Sequence, residues 1–131
     1  SPEKTFWHGH SFTANPLGCA AANASLDLLE KNPNKYLDFK NKHLFLINKF
    51  KDLTFVKKIR ICGTIVAFDL EIGTHSGYLN EIGKRIKALA IEKGLFIRPL
   101  GNVIYLLPPL CITDEQLEKS YAIIYDILLS I

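Results

Sequence analysis

The run Phe55-Val56-Lys57-Lys58-Ile59-Arg60-Ile61-Cys62-Gly63-Thr64-Ile65-Val66-Ala67-Phe68-Asp69-Leu70 decides the fold class. Its halves, 55–61 and 64–70, are rich in β-branched and aromatic residues, and Cys62-Gly63 interrupts them. That pattern predicts two strands joined by a short turn. Strands this close in sequence pair antiparallel, because a parallel pair needs a long crossover.

On both sides the apolar period lengthens from two to between three and four. Upstream, Asn15-Pro16 marks a helix start: Asn caps free N–H groups, and Pro at the first helical position loses no hydrogen bond. This helix runs through Ala20-Ala21-Ala22-Asn23-Ala24 to Leu28-Leu29 and stops before Asn32-Pro33. A second helix is expected over about 34–52, where Tyr36, Phe39, His43, Leu46, Phe50 and Leu53 make one apolar stripe. Downstream, after a loop at 73–77, a third helix is expected over 79–93. It has Ile82, Ile86, Leu89 and Ala90 on one face and Gly94 as its stop.

Short strands at 95–98 and 103–107 should then flank the turn Pro99-Leu100-Gly101-Asn102, and Pro108-Pro109 ends the second of them. Thr113-Asp114-Glu115-Gln116 has the form of a capping box. It opens a last helix carrying Leu117, Tyr121, Ile124, Leu128 and Ile131 on one side. The order α-α-β-β-α-β-β-α predicts an α+β, two-layer domain with a mostly antiparallel sheet packed against helices.

With 131 residues, 48% hydrophobic and 22% charged, the chain is one domain's worth and can bury a core without metals or disulfides. The net charge of +3 is too mild to argue for nucleic acid. The excess lies at Lys31, Lys35, Lys40, Lys42, Lys49, Lys51, Lys57, Lys58 and Arg60 and reads as a solvated face. No apolar run reaches membrane-spanning length and no signal peptide opens the sequence, so no membrane role is expected. Cys19, Cys62 and Cys111 each sit in an apolar segment and read as buried thiols in a reducing, cytoplasmic compartment.

The residue types that carry chemistry are sparse. His8 and His10, two apart, could face the same way on an extended chain, but a metal site needs three or four ligands at recognisable spacing. No metal is expected. Ser11 lies in a loop just ahead of a helix, where a hydroxyl and free N–H groups suit a phosphate, although such hydroxyls commonly cap or face water. Cys19 reads as packing, and the glycines form no nucleotide fingerprint. Arg98 follows apolar Phe96-Ile97 and precedes a sharp turn. Its planar fork matches a carboxylate, and an internal ion pair or a snorkelling side chain is the structural alternative. No intact catalytic constellation is present, and the aromatic, histidine-rich stretch Phe6-Trp7-His8-Gly9-His10-Ser11-Phe12 at one end is what a piece cut from a longer chain would show.

Two long motifs point further. Phe6-Trp7-His8-Gly9-His10-Ser11-Phe12-Thr13-Ala14-Asn15-Pro16-Leu17-Gly18-Cys19-Ala20-Ala21 resembles the H-G-x-[ST]-[FY]-x-[GA]-N-P-L-x-C-A-A segment of the class III, pyridoxal-phosphate-dependent aminotransferases. Arg98-Pro99-Leu100-Gly101-Asn102-Val103-Ile104-Tyr105-Leu106-Leu107-Pro108-Pro109 resembles their near-terminal R-P-x-G-x-x-I-x-L-x-P-P motif. The resemblance covers essentially the whole chain and implies the small C-terminal domain of that fold. Within the class it is nearer to the biotin-pathway branch. The ornithine and 4-aminobutyrate branches typically carry Arg where this chain has Tyr105, whereas here the cation is Arg98, upstream.

The resemblance implies pyridoxal 5'-phosphate as cofactor and a homodimer whose sites are shared between subunits. It implies a small keto-acid substrate, and an amino donor that is S-adenosylmethionine or lysine. Gly9 would approach the keto substrate by its backbone, His10 and Ser11 would meet the cofactor phosphate, and Arg98 would hold the substrate carboxylate. Some members of the biotin branch have Pro-Thr in place of His10-Ser11, and Ser keeps the hydroxyl. Residues 1–14 would form the cofactor and interface loop, and 15–131 the small domain. No catalytic residue falls in this sequence, since the family's cofactor-binding lysine belongs to its large domain. A different ω-aminotransferase of the class, or a non-catalytic α+β binding module, are the rival readings.

Overall fold

A computed structural model describes residues 2–31, 33–72 and 77–131, apart from the side chains of residues 35–37 and 78. They form two compact units, 1–33 and 34–131. The first holds helix α1 (Pro16–Lys31), which buries none of its residues. The second holds α2 (Lys35–Leu46), strands β1 (Val56–Cys62) and β2 (Ile65–Leu70), α3 (Ile82–Glu92), β3 (Val103–Leu106) and α4 (Asp114–Leu129). None of these helices is long and apolar enough to cross a membrane.

The predicted antiparallel pair is present and Gly63, with φ of +58°, makes its turn. β2 also pairs antiparallel with β3, giving the order β1-β2-β3. Side chains alternate as a two-residue period requires. Val56, Val66, Phe68, Leu70, Ile104 and Leu106 are buried, whereas Arg60, Ala67 and Tyr105 lie in register on the other face. Between Lys57 and Arg60 the register slips by one residue in a β-bulge, and Lys58 takes a φ of +49° there.

The core lies between the buried sheet face and the helices. Phe50 packs on Phe68 at 5.5 Å and edge-on to Tyr121 at 5.8 Å, with Ile86, Ala90, Ile124 and Leu128 around them. This is the expected two-layer α+β arrangement. At the entry to α4 the capping box forms as its residues predict. The Gln116 N–H donates to Thr113 Oγ1, and the Thr113 N–H donates to Gln116 Oε1. Lys42 reaches from α2 to Asp114 at 2.6 Å and also holds Asp38 at 2.8 Å.

Four expectations need correction. The second helix stops at Leu46, and residues 48–52 tighten into a 3₁₀ turn. Three residues per turn set Ile47 and Phe50 one above the other, and both are buried. The third helix begins at Ile82, preceded by a separate 3₁₀ turn at 77–79, while 73–76 of the expected loop lie outside the described residues. The expected strand at 95–98 does not form, because no described strand lies beside it to complete a ladder; among the described residues the pairing near it is the bridge Leu100–Val103. The three cysteines are exposed rather than buried: Cys19 on α1, Cys62 at the end of β1, and Cys111 in the turn before α4.

Candidate functional site

Arg98 owes its place to how α3 ends. Gly94, with φ of +79°, closes the helix: its N–H donates to the Ile91 carbonyl and the Leu95 N–H to the Ala90 carbonyl. That paired geometry is a Schellman stop, and it turns the chain out of the helix into the extended segment leading to Arg98. Beyond Arg98 the chain reverses in a two-residue hairpin, where Leu100 and Val103 exchange N–H···O bonds of 2.9 and 3.0 Å around Gly101, φ +59°. β3 follows, and its alternation brings Tyr105 to the Arg98 side.

Arg98 and Tyr105 line a cleft of about 300 Å³ whose walls are Phe96, Leu107, Pro108 and Ile112. Arg98 is exposed and, among the described residues, makes no ion pair or hydrogen bond. Of its two structural alternatives, the internal ion pair is therefore not found among the described residues, whereas an exposed guanidinium beside apolar walls is also the geometry of a snorkelling side chain. An unpaired guanidinium beside an apolar cleft suits a ligand that joins a carboxylate to an alkyl chain. Tyr105 is the polar group that residue-by-residue reading did not place here. The signal for it was the strict alternation along β3.

The other candidate residues lie in the first unit. Side chains 6, 8, 10 and 12 alternate along an extended run, with ring centroids 5.3, 5.5 and 6.0 Å apart. His10 then starts a turn. Its N–H donates to Thr13 Oγ1 at 3.0 Å, its carbonyl accepts from the Thr13 N–H at 2.9 Å, and its Nδ1 accepts from the Phe12 N–H at 3.1 Å. The imidazole thus braces the turn on which Ser11 stands. Neither the hydroxyl nor the N–H of Ser11 has a partner among the described residues. Asn15 Oδ1 accepts from the Leu17 and Gly18 N–H groups, so the α1 cap is supplied by Asn15, as expected, and leaves Ser11 free of that duty.

Gly9 is exposed, and a Cβ added to it would meet nothing within 4 Å. A shallow surface depression of about 290 Å³ lies among His8, His10, Thr13, Asn15 and Gly18. No group of three or more His, Cys, Asp or Glu comes together among the described residues. Phe6, Trp7, Phe12 and Leu17 are all more than three-quarters exposed, at 83%, 81%, 76% and 82%.

The chain matches the Aminotransferase class-III family over residues 1–128. It is 47% identical over 128 residues to the adenosylmethionine-8-amino-7-oxononanoate aminotransferase of Synechococcus elongatus, covering 98% of this chain and 30% of that protein. It is 37% identical to the Helicobacter pylori protein of the same name, covering 95% and 29%. Among solved structures, the enzyme of that name from Methanocaldococcus jannaschii superposes with a TM-score of 0.81 at 32% identity, over 98% of this chain and 31% of that one. Acetylornithine aminotransferase from Elizabethkingia anophelis follows with 0.78 at 31% identity, over 98% and 32%. The chain spans about 30% of the length of the curated relatives it matches. A match of family and fold that runs from the histidine loop to α4 leaves one conclusion: this chain belongs to the class III aminotransferases.

Proposed function

We propose that this chain is the C-terminal part of a pyridoxal-phosphate-dependent aminotransferase that converts 8-amino-7-oxononanoate to 7,8-diaminononanoate in biotin biosynthesis, as a cytoplasmic homodimer. The observation that carries the reading is the unpaired Arg98 guanidinium beside its apolar cleft. The oxononanoate joins a carboxylate to a long alkyl chain, and its carboxylate lies far from the reacting ketone. A cation displaced upstream of Tyr105 matches that separation. The names of the relatives support S-adenosylmethionine as the amino donor.

The cofactor fits the residues present. A phosphate takes N–H and O–H donors, and Ser11 offers both without a competing partner among the described residues. His10 holds the turn that presents them. In the dimer this loop, residues 1–14, would serve the neighbouring subunit's site, which would account for the exposed Phe6, Trp7 and Phe12 within it. Gly9 would leave room for the keto substrate. Residues 15–131 would belong to the small domain, whose larger compact unit is 34–131. Pyridoxal phosphate, when bound, supplies the electron sink for amino-group transfer.

Replacing Arg98 in the full-length enzyme tests the reading. Arg98→Ala should raise KM for the oxononanoate by an amount corresponding to about 2–4 kcal/mol and leave the donor half-reaction intact. Arg98→Lys should recover part of the loss, because an ammonium cannot form the planar pair. Equal damage to both half-reactions with a lowered melting temperature would make Arg98 scaffold and remove the main support for this substrate.

A further inference from the structure

The guanidinium of Arg98 has no partner among the described residues, so what the structure fixes is the backbone from which its side chain projects. Two residues outside the motifs' assigned roles fix that backbone. Gly83 is buried in the first turn of α3, where glycine is a weaker helix former than alanine. The space above it explains the choice. A Cβ built on Gly83 would overlap the carbonyl oxygen of Gly101, stand 2.9 Å from the Pro99 Cβ and 3.3 Å from the Gly101 carbonyl carbon. These are backbone and ring atoms, which cannot swing aside as a flexible side chain would. The 99–101 turn therefore lies flat on α3, immediately after Arg98.

Asn102 fastens the other side of the same turn. Its side chain is buried, donating from Nδ2 to the Leu70 carbonyl at 3.0 Å and accepting at Oδ1 from the Gly77 N–H at 2.8 Å. Its own carbonyl accepts from the Leu70 N–H at 2.9 Å. Between the helix contact and these three bonds, the residues that follow Arg98 are tied to α3, to the end of β2 and to the loop at residue 77.

We propose that Gly83 and Asn102 are positioning residues for substrate binding. They hold the 99–101 turn so that Arg98 meets the substrate carboxylate at a fixed distance from the reacting end. This rests on the carboxylate role proposed for Arg98. Alanine at 83 lifts the turn by the overlap it creates, and a misplacement of about 1 Å in a binding group can cost a factor of about 100.

The test uses the full-length enzyme with the two half-reactions measured separately. Gly83→Ala should raise KM for the oxononanoate about 10- to 100-fold while the donor half-reaction stays unchanged. The double variant Gly83→Ala/Arg98→Ala should be no worse than Arg98→Ala alone, because two changes acting through one contact do not add. Asn102→Ala removes bonds without creating a clash and should raise the same KM about 3- to 10-fold; it carries the test should Gly83→Ala fail to fold. An unchanged KM in both variants, a fully additive double variant, or equal losses in both half-reactions would overturn the positioning role while the Arg98 assignment stands. An unchanged KM in Arg98→Ala itself would overturn the substrate assignment, and this inference with it.

Discussion

His43 couples the stability of this fold to pH, with a sign and size that follow from its surroundings. It is fully buried, with Nε2 2.9 Å from the Thr64 carbonyl and Nδ1 2.7 Å from the Tyr121 hydroxyl. A carbonyl can only accept, so the neutral ring carries its proton on Nε2 and its Nδ1 accepts from the tyrosine. Burial holds the pKa of His43 below the usual 6.5, only partly opposed by the bond to Thr64, and burial likewise pushes the Tyr121 phenol up. A depressed folded-state pKa means that the unfolded chain takes up the proton first. Stability is therefore fully present above about pH 6.5, is lost as pH falls, and levels off below the folded-state pKa. The loss at about pH 5.5 has an upper bound of RT ln 11, about 1.4 kcal/mol, reached where His43 stays neutral in the folded chain.

Urea unfolding of the 131-residue chain, followed by circular dichroism at about pH 8 and about pH 5.5, reads this directly. His43→Gln keeps a donor and an acceptor but does not titrate, so the pH-dependent part of the difference between the two chains isolates the histidine. Tyr121→Phe should cost about 1–3 kcal/mol at the higher pH, since it leaves the Nδ1 lone pair buried without a donor. If His43→Gln loses as much stability on acidification as the parent chain, the buried neutral imidazole is not the source and the argument fails.

Removing the Ser11 hydroxyl should weaken cofactor retention in the full-length enzyme by about 1–2 kcal/mol, read as faster loss of bound pyridoxal phosphate on dialysis. Undiminished retention would take Ser11 out of the phosphate site. Thr113→Ala deletes one half of the capping box and should lower the stability of the 131-residue chain by about 0.5–2 kcal/mol, with Thr113→Ser close to neutral; a large loss with Ser would implicate the methyl group instead.

Local chemistry made much of this structure legible. Asn15, Thr113 and Gly94 act through atoms within a few residues of themselves, and each ends or begins a helix where its chemistry says it should. The β1–β2 hairpin is local in the same sense. What stayed hidden depends on distant partners. The 95–98 segment has the residues of a strand, but a strand exists only beside another. His43 fits an apolar stripe by spacing, and its polar role needs Tyr121, seventy-eight residues away. The cysteines sit in apolar text, but whether such a segment is covered is decided by tertiary packing. Arg98 was readable as a cation in apolar surroundings, whereas its want of an ion pair and the glycine beneath its turn were not.

The bulge in β1 has a consequence for how the molecule behaves in a crowd. β1 is an edge of the sheet, and an edge offers its unpaired N–H and C=O groups to any passing strand. Here the slip between Lys57 and Arg60 throws the ladder out of step and brings Lys57, Lys58 and Arg60 close together, with Asp69 answering two of them. A second copy approaching this edge would have to match an irregular spacing and desolvate like charges at once. At the opposite edge, Pro108-Pro109 follow β3 and have no N–H to give. The bulge and its charges thereby guard the β1 edge against self-association into extended β-aggregates, and the prolines stop the β3 edge from extending beyond Leu107.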